Sequence, residues 1–428
     1  MKIRAVPFVF SSIFLPLLAT TSCSNEDKDL WDEKITIKNE WINNGFKNTN
    51  LEEKFLKKLT ETFNKIKNQD IEAKNYSDVS FEIQTNGDST SMLNELKANN
   101  KEQDIAIISY GDFVANFAYI NEDKNWKSNL KFKPVAQTST LKFSWQGQDN
   151  FYYENGLETD PLRKLAIKNN EKWFKENNLE YPDWVKYPNK LIFDGSKYTN
   201  FYDKKNLTYV YRGAIYISGN KKERESIIKC WNDKDLNTFL SYNLVYKDTS
   251  KTSAFKYQVA LMARHFNKTI KEINEILIDT SNNHIIKGND AKNALGKKSG
   301  YVTCRIGFAA EGEMNWLNNK GNNSWYKPDN FINNKNYDDE QNDVVRVLVM
   351  TNPAPYDVVL ARRHFNNKQL EILQKTLLQL SVEENTYGLY TGYNKFQTID
   401  LDLFKKFILL QIQAESLKNL VNDIPEIN

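Results

Sequence analysis

Between residues 34 and 119, short apolar runs alternate with amphipathic stretches of helical period, and this alternation constrains the fold of the 428-residue chain more than any other feature. Lys34-Ile35-Thr36-Ile37 is strand-like. Asn50 with Glu53 marks a helix start, and Leu51, Phe55, Leu59, Phe63 and Ile66 then fall on one stripe. Val79 to Gln84 alternates as a strand. Asp88-Ser89 open a helix with Met92, Leu93 and Leu96 inward, and Asp104 to Ser109 reads as a buried strand. Tyr110-Gly111 break that strand before a helix from Phe113 to Tyr119. The pattern predicts an α/β fold, a mostly parallel sheet covered by helices.

After Lys133 to Thr138 the texture changes. A helix is expected after Pro161, a strand from Thr208 to Ser218, and helices from Lys221 to Trp231 and from Phe255 to Leu277. Thr303 to Phe308 reads as a buried strand, followed by a turn at Glu311-Gly312. Val344 to Thr351 is a strand running into Asn352-Pro353-Ala354-Pro355, and Val358 to Ala361 continues it. Helices from Gln369 to Leu380 and from Leu403 to Val421 close the chain. Extended segments near Val135–Thr138 and Leu348–Asn352 imply two hinge crossovers in a two-lobed clamshell. Lobe 1 is expected from residues 35–136 with 353–428, lobe 2 from 137–352, and a ligand cleft at the carboxyl ends of the strands.

The chain's address is written ahead of the fold. Lys2 and Arg4 precede an almost wholly apolar run from Ala5 to Thr20, and small residues stand immediately before Cys23. That order is an export signal rather than a first helix. With the polar Ser24 to Asp29 following, it fits a lipoprotein signal peptide over 1–22, lipid on Cys23, and a tether over 23–34. An ordinary cleaved signal is the alternative, because Thr20 stands where a larger aliphatic is usual. The lipoprotein reading places the protein on the extracellular face of the cell membrane. No second apolar run approaches the roughly 18 residues needed to span a bilayer.

Composition narrows the function. Lys+Arg number 58 against 55 Asp+Glu, and removing Lys2 and Arg4 leaves 56 against 55. So even a balance argues against a nucleic-acid partner. Cys230 and Cys304, isolated from each other, make neither a disulfide framework nor a metal spacing. His265, His284 and His364 lie far apart, which argues against zinc or histidine-based catalysis. Gly-x-Ser-x-Gly, Gly-x-x-x-x-Gly-Lys-Ser/Thr and His-Glu-x-x-His are absent, so a binding protein is expected rather than an enzyme.

Five turns qualify for binding because they follow strands, and helix N-termini at such turns offer free N–H groups to an anion. They are Asn39-Glu40-Trp41, Ser109-Tyr110-Gly111, Gln137-Thr138-Ser139-Thr140, Glu311 to Trp316, and Asn352 to Asp357. Each also has a plain structural reading, as a capped turn, a rigid connector or a core tryptophan. Tyr211-Arg212-Gly213 adds a scarce arginine that points either to solvent or into the cleft.

Several motifs occur together in one order. They are Ser22-Cys23-Ser24-Asn25; Tyr211-Arg212-Gly213; Trp231 to Asp235 with Asn237-Thr238-Phe239; and Glu311-Gly312 with Trp316. Thr351-Asn352-Pro353 with Pro355-Tyr356-Asp357, and Thr386-Tyr387-Gly388 with Gly392-Tyr393-Asn394, complete the set. In these the chain resembles the mycoplasma-type high-affinity transport lipoproteins, the extracytoplasmic thiamine-binding (Cypl-like) lipoproteins, and more distantly the phosphonate-type substrate-binding proteins of ABC importers. The resemblance implies a type II periplasmic-binding-protein fold, an ABC permease as partner, and thiamine or thiamine diphosphate as transported ligand. No cofactor is expected, and the protein is expected to act as a monomer. A thiazolium cation and a flat pyrimidine call for aromatic faces with a carboxylate, and a diphosphate calls for N–H groups, hydroxyls and a guanidinium. By turn position, Trp41, Tyr110, Trp316 and Tyr356 would stack, and Glu40, Glu311 or Asp357 would meet the cation. Ser109, Gly111, Thr138, Thr140 and Arg212 would hold phosphate, and Tyr211, Gly312 and Asn352 complete the predicted site. Two alternatives stand beside this: the same fold binding a phosphonate, phosphate ester or other small anion, and a surface adhesion lipoprotein.

Overall fold

The structure, a computed structural model, describes residues 30–40, 42, 45–85, 88–117, 120, 123–175, 202–315, 328–332, 341–388 and 392–427. Cys23, residues 1–29, Trp41 and Trp316 lie outside the described residues. In chain order the strands begin with β1 (Lys34–Asn39), β2 (Ser80–Thr85), β3 (Ile105–Ile108), β4 (Phe132–Phe143) and β5 (Tyr202–Thr208). Next come β6 (Val210–Tyr211), β7 (Gly213–Gly219), β8 (Leu244–Tyr246), β9 (Ile285–Lys287), β10 (Lys298–Ser299) and β11 (Val302–Thr303). The last are β12 (Ile306–Ala310), β13 (Val344–Met350), β14 (Ala354–Pro355), β15 (Val358–Arg362) and β16 (Lys395–Gln397).

Two mixed sheets result. The first runs β16-β4-β15-β3-β1-β2, with β5 paired to the far end of β4; the second runs β13-β7-β12-β8-β9. β1 is parallel to β2 and β3, as the strand–helix alternation requires, whereas β15 enters antiparallel between β3 and β4. In the second sheet β7 is antiparallel to both neighbours, and in the first only β1–β2 and β1–β3 are parallel, so both sheets depart from the mostly parallel expectation. Val135–Thr138 lies inside β4, paired with β15 and then β16. The chain passes between the sheets where β6 leads into β7 and where β13 leads through β14 to β15. At that passage β6 and β14 pair with each other, Tyr211 opposite Ala354 and Val210 opposite Pro355.

Alternation along the strands builds the core on both faces of the first sheet. Ile35, Ile37, Ile105 and Ile107 face helices Asn50–Gln69 and Asn367–Gln379. Ala106 and Ile108 face helices Ser89–Lys97, Tyr110–Phe117 and Leu401–Ala414. The predicted stripe on Asn50–Gln69 buries Phe55, Leu59 and Phe63, and its cap is Thr49, one residue earlier than expected, whose hydroxyl accepts the Leu51 amide at 3.2 Å. The expected helix from Phe255 to Leu277 is two helices, Tyr257–His265 and Ile270–Ile278. Asn267 adopts φ 51° and ends the first, and a Thr269–Glu272 capping box starts the second. The closing helix stops at Ala414 rather than Val421, because the Gln413 amide binds both the Val421 N–H (2.8 Å) and its carbonyl (3.0 Å) and turns the tail back.

Arg362 at the end of β15 locks the first sheet. It is buried, donates from Nε to Asp104 at 2.8 Å and from Nη2 to Asp32, while the other Asp104 oxygen accepts the Thr36 amide at 2.9 Å. Truncating one partner would leave buried charge uncompensated. Arg362→Met is expected to lower stability by about 3–5 kcal/mol, read as a lower urea midpoint at unchanged m-value.

Candidate functional site

The carboxyl ends of β1, β3 and β4 and the β14–β15 turn converge where the two sheets meet. Gln137 organises this region. Fully buried, its amide accepts the Tyr110 hydroxyl at 2.9 Å and donates to the Tyr356 carbonyl at 2.8 Å. Thr138 adds its hydroxyl (2.6 Å) and its amide (3.1 Å) to the Asp357 carbonyl. The Tyr356-Asp357 backbone is thereby nailed to β4, and the Asp357 carboxylate has one place to go. It accepts the Tyr393 hydroxyl. Among the described residues no cation pairs with it. Burial pushes its pKa up to about 6, and the neighbouring Asp112 and Glu40 carboxylates push in the same direction.

Around Asp357 the lip is acidic. Glu40 is exposed and accepts the Ser89 hydroxyl at 2.9 Å. Asp112 accepts the Ser109 hydroxyl at 2.6 Å, and Ser109 takes the Asp112 amide in return at 3.1 Å, capping helix Tyr110–Phe117. Glu415, raised mainly by burial and also by Asp112, has Lys256 at 3.9 Å. Tyrosines face this lip. Tyr211 lies 5.2 Å from Tyr356 between ring centroids, and its hydroxyl is 2.9 Å from that of Tyr257, which donates to Gln411 at 3.2 Å. Gly111 sits where the sheets' flanks touch: a Cβ there would lie 2.6 Å from the Thr252 methyl group.

The predicted residues therefore divide. Glu40, Tyr211, Tyr356 and Asp357 share this junction and keep exposed surface. Tyr110 is buried against Phe404 and Phe407, so its ring is core. Thr140 is buried and donates to Asn394 at 2.7 Å; with Thr138 and Ser109 its hydroxyl is engaged within the protein. Arg212, Glu311, Gly312 and Asn352 form a different group, the packed joint beneath the junction. Arg212 is fully buried and donates to the Asp149 carbonyl at 2.8 Å. Glu311 accepts the Trp145 indole N–H at 3.1 Å, and burial raises its carboxyl against the pull of Arg212. Gly312, at φ 77°, lets the Phe143 ring come within 2.8 Å of where a Cβ would stand. The Asn352 side chain accepts the Tyr153 amide at 2.8 Å. Asp112, Tyr257 and Glu415 were missed from the sequence, and Tyr393 entered only through the Gly392-Tyr393-Asn394 motif, without a role. Among the three missed, Asp112 alone carried a local sign, the Ser109-x-x-Asp112 cap.

A body of two α/β sheets joined by paired hinge strands, with its polar residues gathered at the strands' carboxyl ends, has the type II periplasmic-binding-protein fold of extracytoplasmic substrate-binding proteins. The solved structure of the Mycoplasma hyorhinis protein Mh-p37 shares it: TM-score 0.72 at 25% identity, over 90% of this chain and 100% of that one. The high affinity transport system protein p37 of Mesomycoplasma hyorhinis is 31% identical over 409 residues, covering 92% of this chain and 94% of the relative. The profile of CypI, described as extracytoplasmic thiamine-binding lipoprotein, matches residues 53–413. The chain belongs to that family of extracytoplasmic thiamine-binding lipoproteins.

Asp357 yields a prediction with a definite sign. Its raised pKa means the folded protein holds a proton that the unfolded chain releases, so its ionisation costs stability as pH rises through about 6. Asp357→Asn keeps the Tyr393 hydrogen bond and is expected to be more stable than the parent by about 1–3 kcal/mol at about pH 8, the two converging below about pH 4 in urea titrations.

Proposed function

We propose that the protein is the substrate-binding lipoprotein of an ABC importer, lipid-anchored at Cys23, and that it binds thiamine or thiamine diphosphate between its two lobes. The observation that carries the ligand reading is Asp357, a carboxylate held in place by β4 and left without a cation among tyrosines and further acids. A cationic ring fits such a site because the aromatic faces and the carboxylate both favour positive charge, and removal from water strengthens both. The family membership supports the reading, as does Mh-p37, whose structure was reported as that of a candidate thiamine pyrophosphate transporter. The hydroxyls once expected to hold phosphate are engaged elsewhere, so the cationic end is the better supported half of the ligand. Delivery would follow closure of the lobe built on the first sheet against the lobe built on the second, about the β6–β14 hinge rather than the expected crossover at Val135–Thr138, which lies inside β4. Among the described residues no helix is long and apolar enough to cross a membrane; on this reading the importer's channel belongs to a separate permease.

Isothermal titration with thiamine, thiamine diphosphate and methylphosphonate tests this. Thiamine is expected to bind, with affinity falling below about pH 6 by up to tenfold per pH unit as Asp357 takes a proton. Tyr356→Ala is expected to lose about tenfold or more. Heat from methylphosphonate and none from either thiamine species would replace this ligand with a compact anion.

A further inference from the structure

We propose that the end of the first sheet opposite the ligand junction is a membrane-resting face, with Leu30, Ile71 and Tyr76 seated at the bilayer interface. The proposal rests on the lipid anchor at Cys23. Three of the large hydrophobic side chains left most exposed among the described residues lie here: Leu30 at 55%, Ile71 at 85% and Tyr76 at 46%. Scattered exposed hydrophobics are ordinary on any surface. These three differ because of where the chain enters the fold.

Seven residue steps separate Cys23 from Leu30, a reach of about 25 Å when fully extended. The chain is then pinned at once. Trp31 stacks on Tyr76 with ring centroids 4.5 Å apart and planes 7° apart, and its indole N–H donates to the Ser77 carbonyl at 3.0 Å. The loop that carries Ile71 and Tyr76 is itself fixed. Asp70 accepts the Glu72 and Ala73 amides at 2.9 and 3.0 Å, and buried Lys67 holds the Tyr76 carbonyl at 2.8 Å. A lipid on Cys23 therefore brings this fixed loop, with Ile71 and Tyr76 exposed among the polar Glu72, Lys74, Asn75 and Asp78, within one short tether of the membrane surface.

The chemistry of the face suits the interface rather than charged headgroups. Tyrosine and tryptophan favour the zone where acyl chains meet water. The acids of the loop are matched within the protein: Asp70 and Glu72 by Lys368 at 3.4 and 2.8 Å, and Asp78 by Lys67 at 2.9 Å. Docking is then expected not to depend on anionic lipid. The face lies at the amino ends of β1 and β2, where the Ser80 amide meets the Glu33 carbonyl at 2.9 Å. The junction around Asp357 lies at the carboxyl ends, a strand length of about 20 Å away. The resting protein would thus hold its binding site toward the outer medium, and delivery would require it to swing on the tether.

The test uses the lipidated, processed protein in phosphatidylcholine vesicles, with a nitroxide at Ile71→Cys or, as control, at the fully exposed Tyr301→Cys, each in a Cys230→Ser background. Flotation reports the anchor, and collision with a water-soluble nickel chelate reports the face. Position 71 is expected to be several-fold less accessible to nickel than position 301, equally so when phosphatidylglycerol is mixed in. A protein that floats with position 71 as open as 301 would overturn the docking face and leave the anchor standing. Failure to float would overturn the anchor itself. Shielding of position 71 that persists without vesicles, or that needs the permease, would replace the bilayer with a second copy or with the permease.

Discussion

The site depends on one buried amide. Gln137 has no contact with water, so each of its polar atoms must find a partner inside the protein, and it finds them on two different elements. One is Tyr110, the first residue of a helix; the other is the turn that precedes β15. Binding both fixes the start of helix Tyr110–Phe117 relative to Tyr356 and Asp357, and with it the spacing between the Asp112 and Asp357 carboxylates. A leucine of similar size would fill the space and fix neither. The strands pair without Gln137, but the acidic lip takes its shape from it.

Charge is handled differently at two depths of the same junction. In the packed joint Arg212 and Lys142 face Glu311 and Asp149, Glu426 also meets Lys142 at 3.1 Å, and Arg212 Nε and Nη1 and Glu311 Oε2 are buried without a hydrogen-bond partner. At the lip Glu40, Asp112, Asp357 and Glu415 gather, and among the described residues only Lys256 reaches them, at 3.9 Å from Glu415. Like charges at half-buried positions repel more strongly than they would in water. The joint thus sets opposite charges against each other, whereas the lip gathers like ones.

Local signals carried much of the fold and little of the site. The stripe from Leu51 to Ile66 was legible because burial on one face imposes its period on the sequence, and the apolar run Ile105–Ile108 because its strand is buried on both faces. The break after His265 was also written, as a Thr269-x-x-Glu272 capping box, but apolar residues at helical spacing on both sides of it hid it. The pairing of Tyr393 with Asp357 joins residues 36 apart through strand order, and no local pattern announces it. Arg212 could be read from the sequence only as pointing to solvent or into the cleft; the strand is interrupted at that residue and the side chain is buried, with Nε and Nη1 left without a hydrogen-bond partner.

The position of Lys256 makes closure conditional. It starts from the second-sheet side, next to Tyr257, and reaches across to Glu415 on the first-sheet side, beside the Tyr257–Gln411 hydrogen bond (3.2 Å) and the Arg264 guanidinium's bonds to the Ser416 and Lys418 carbonyls (2.9 and 2.8 Å). At 3.9 Å and partly exposed, that pair contributes about 0–1 kcal/mol, too little to hold the lobes together by itself. A ligand cation placed between Asp357 and the tyrosines would relieve the repulsion among four acids at once, and it could do so only when both flanks close around it. The shape that reports a full binding site is thus favoured by the ligand's own charge, as a protein that must signal occupancy to a transporter requires.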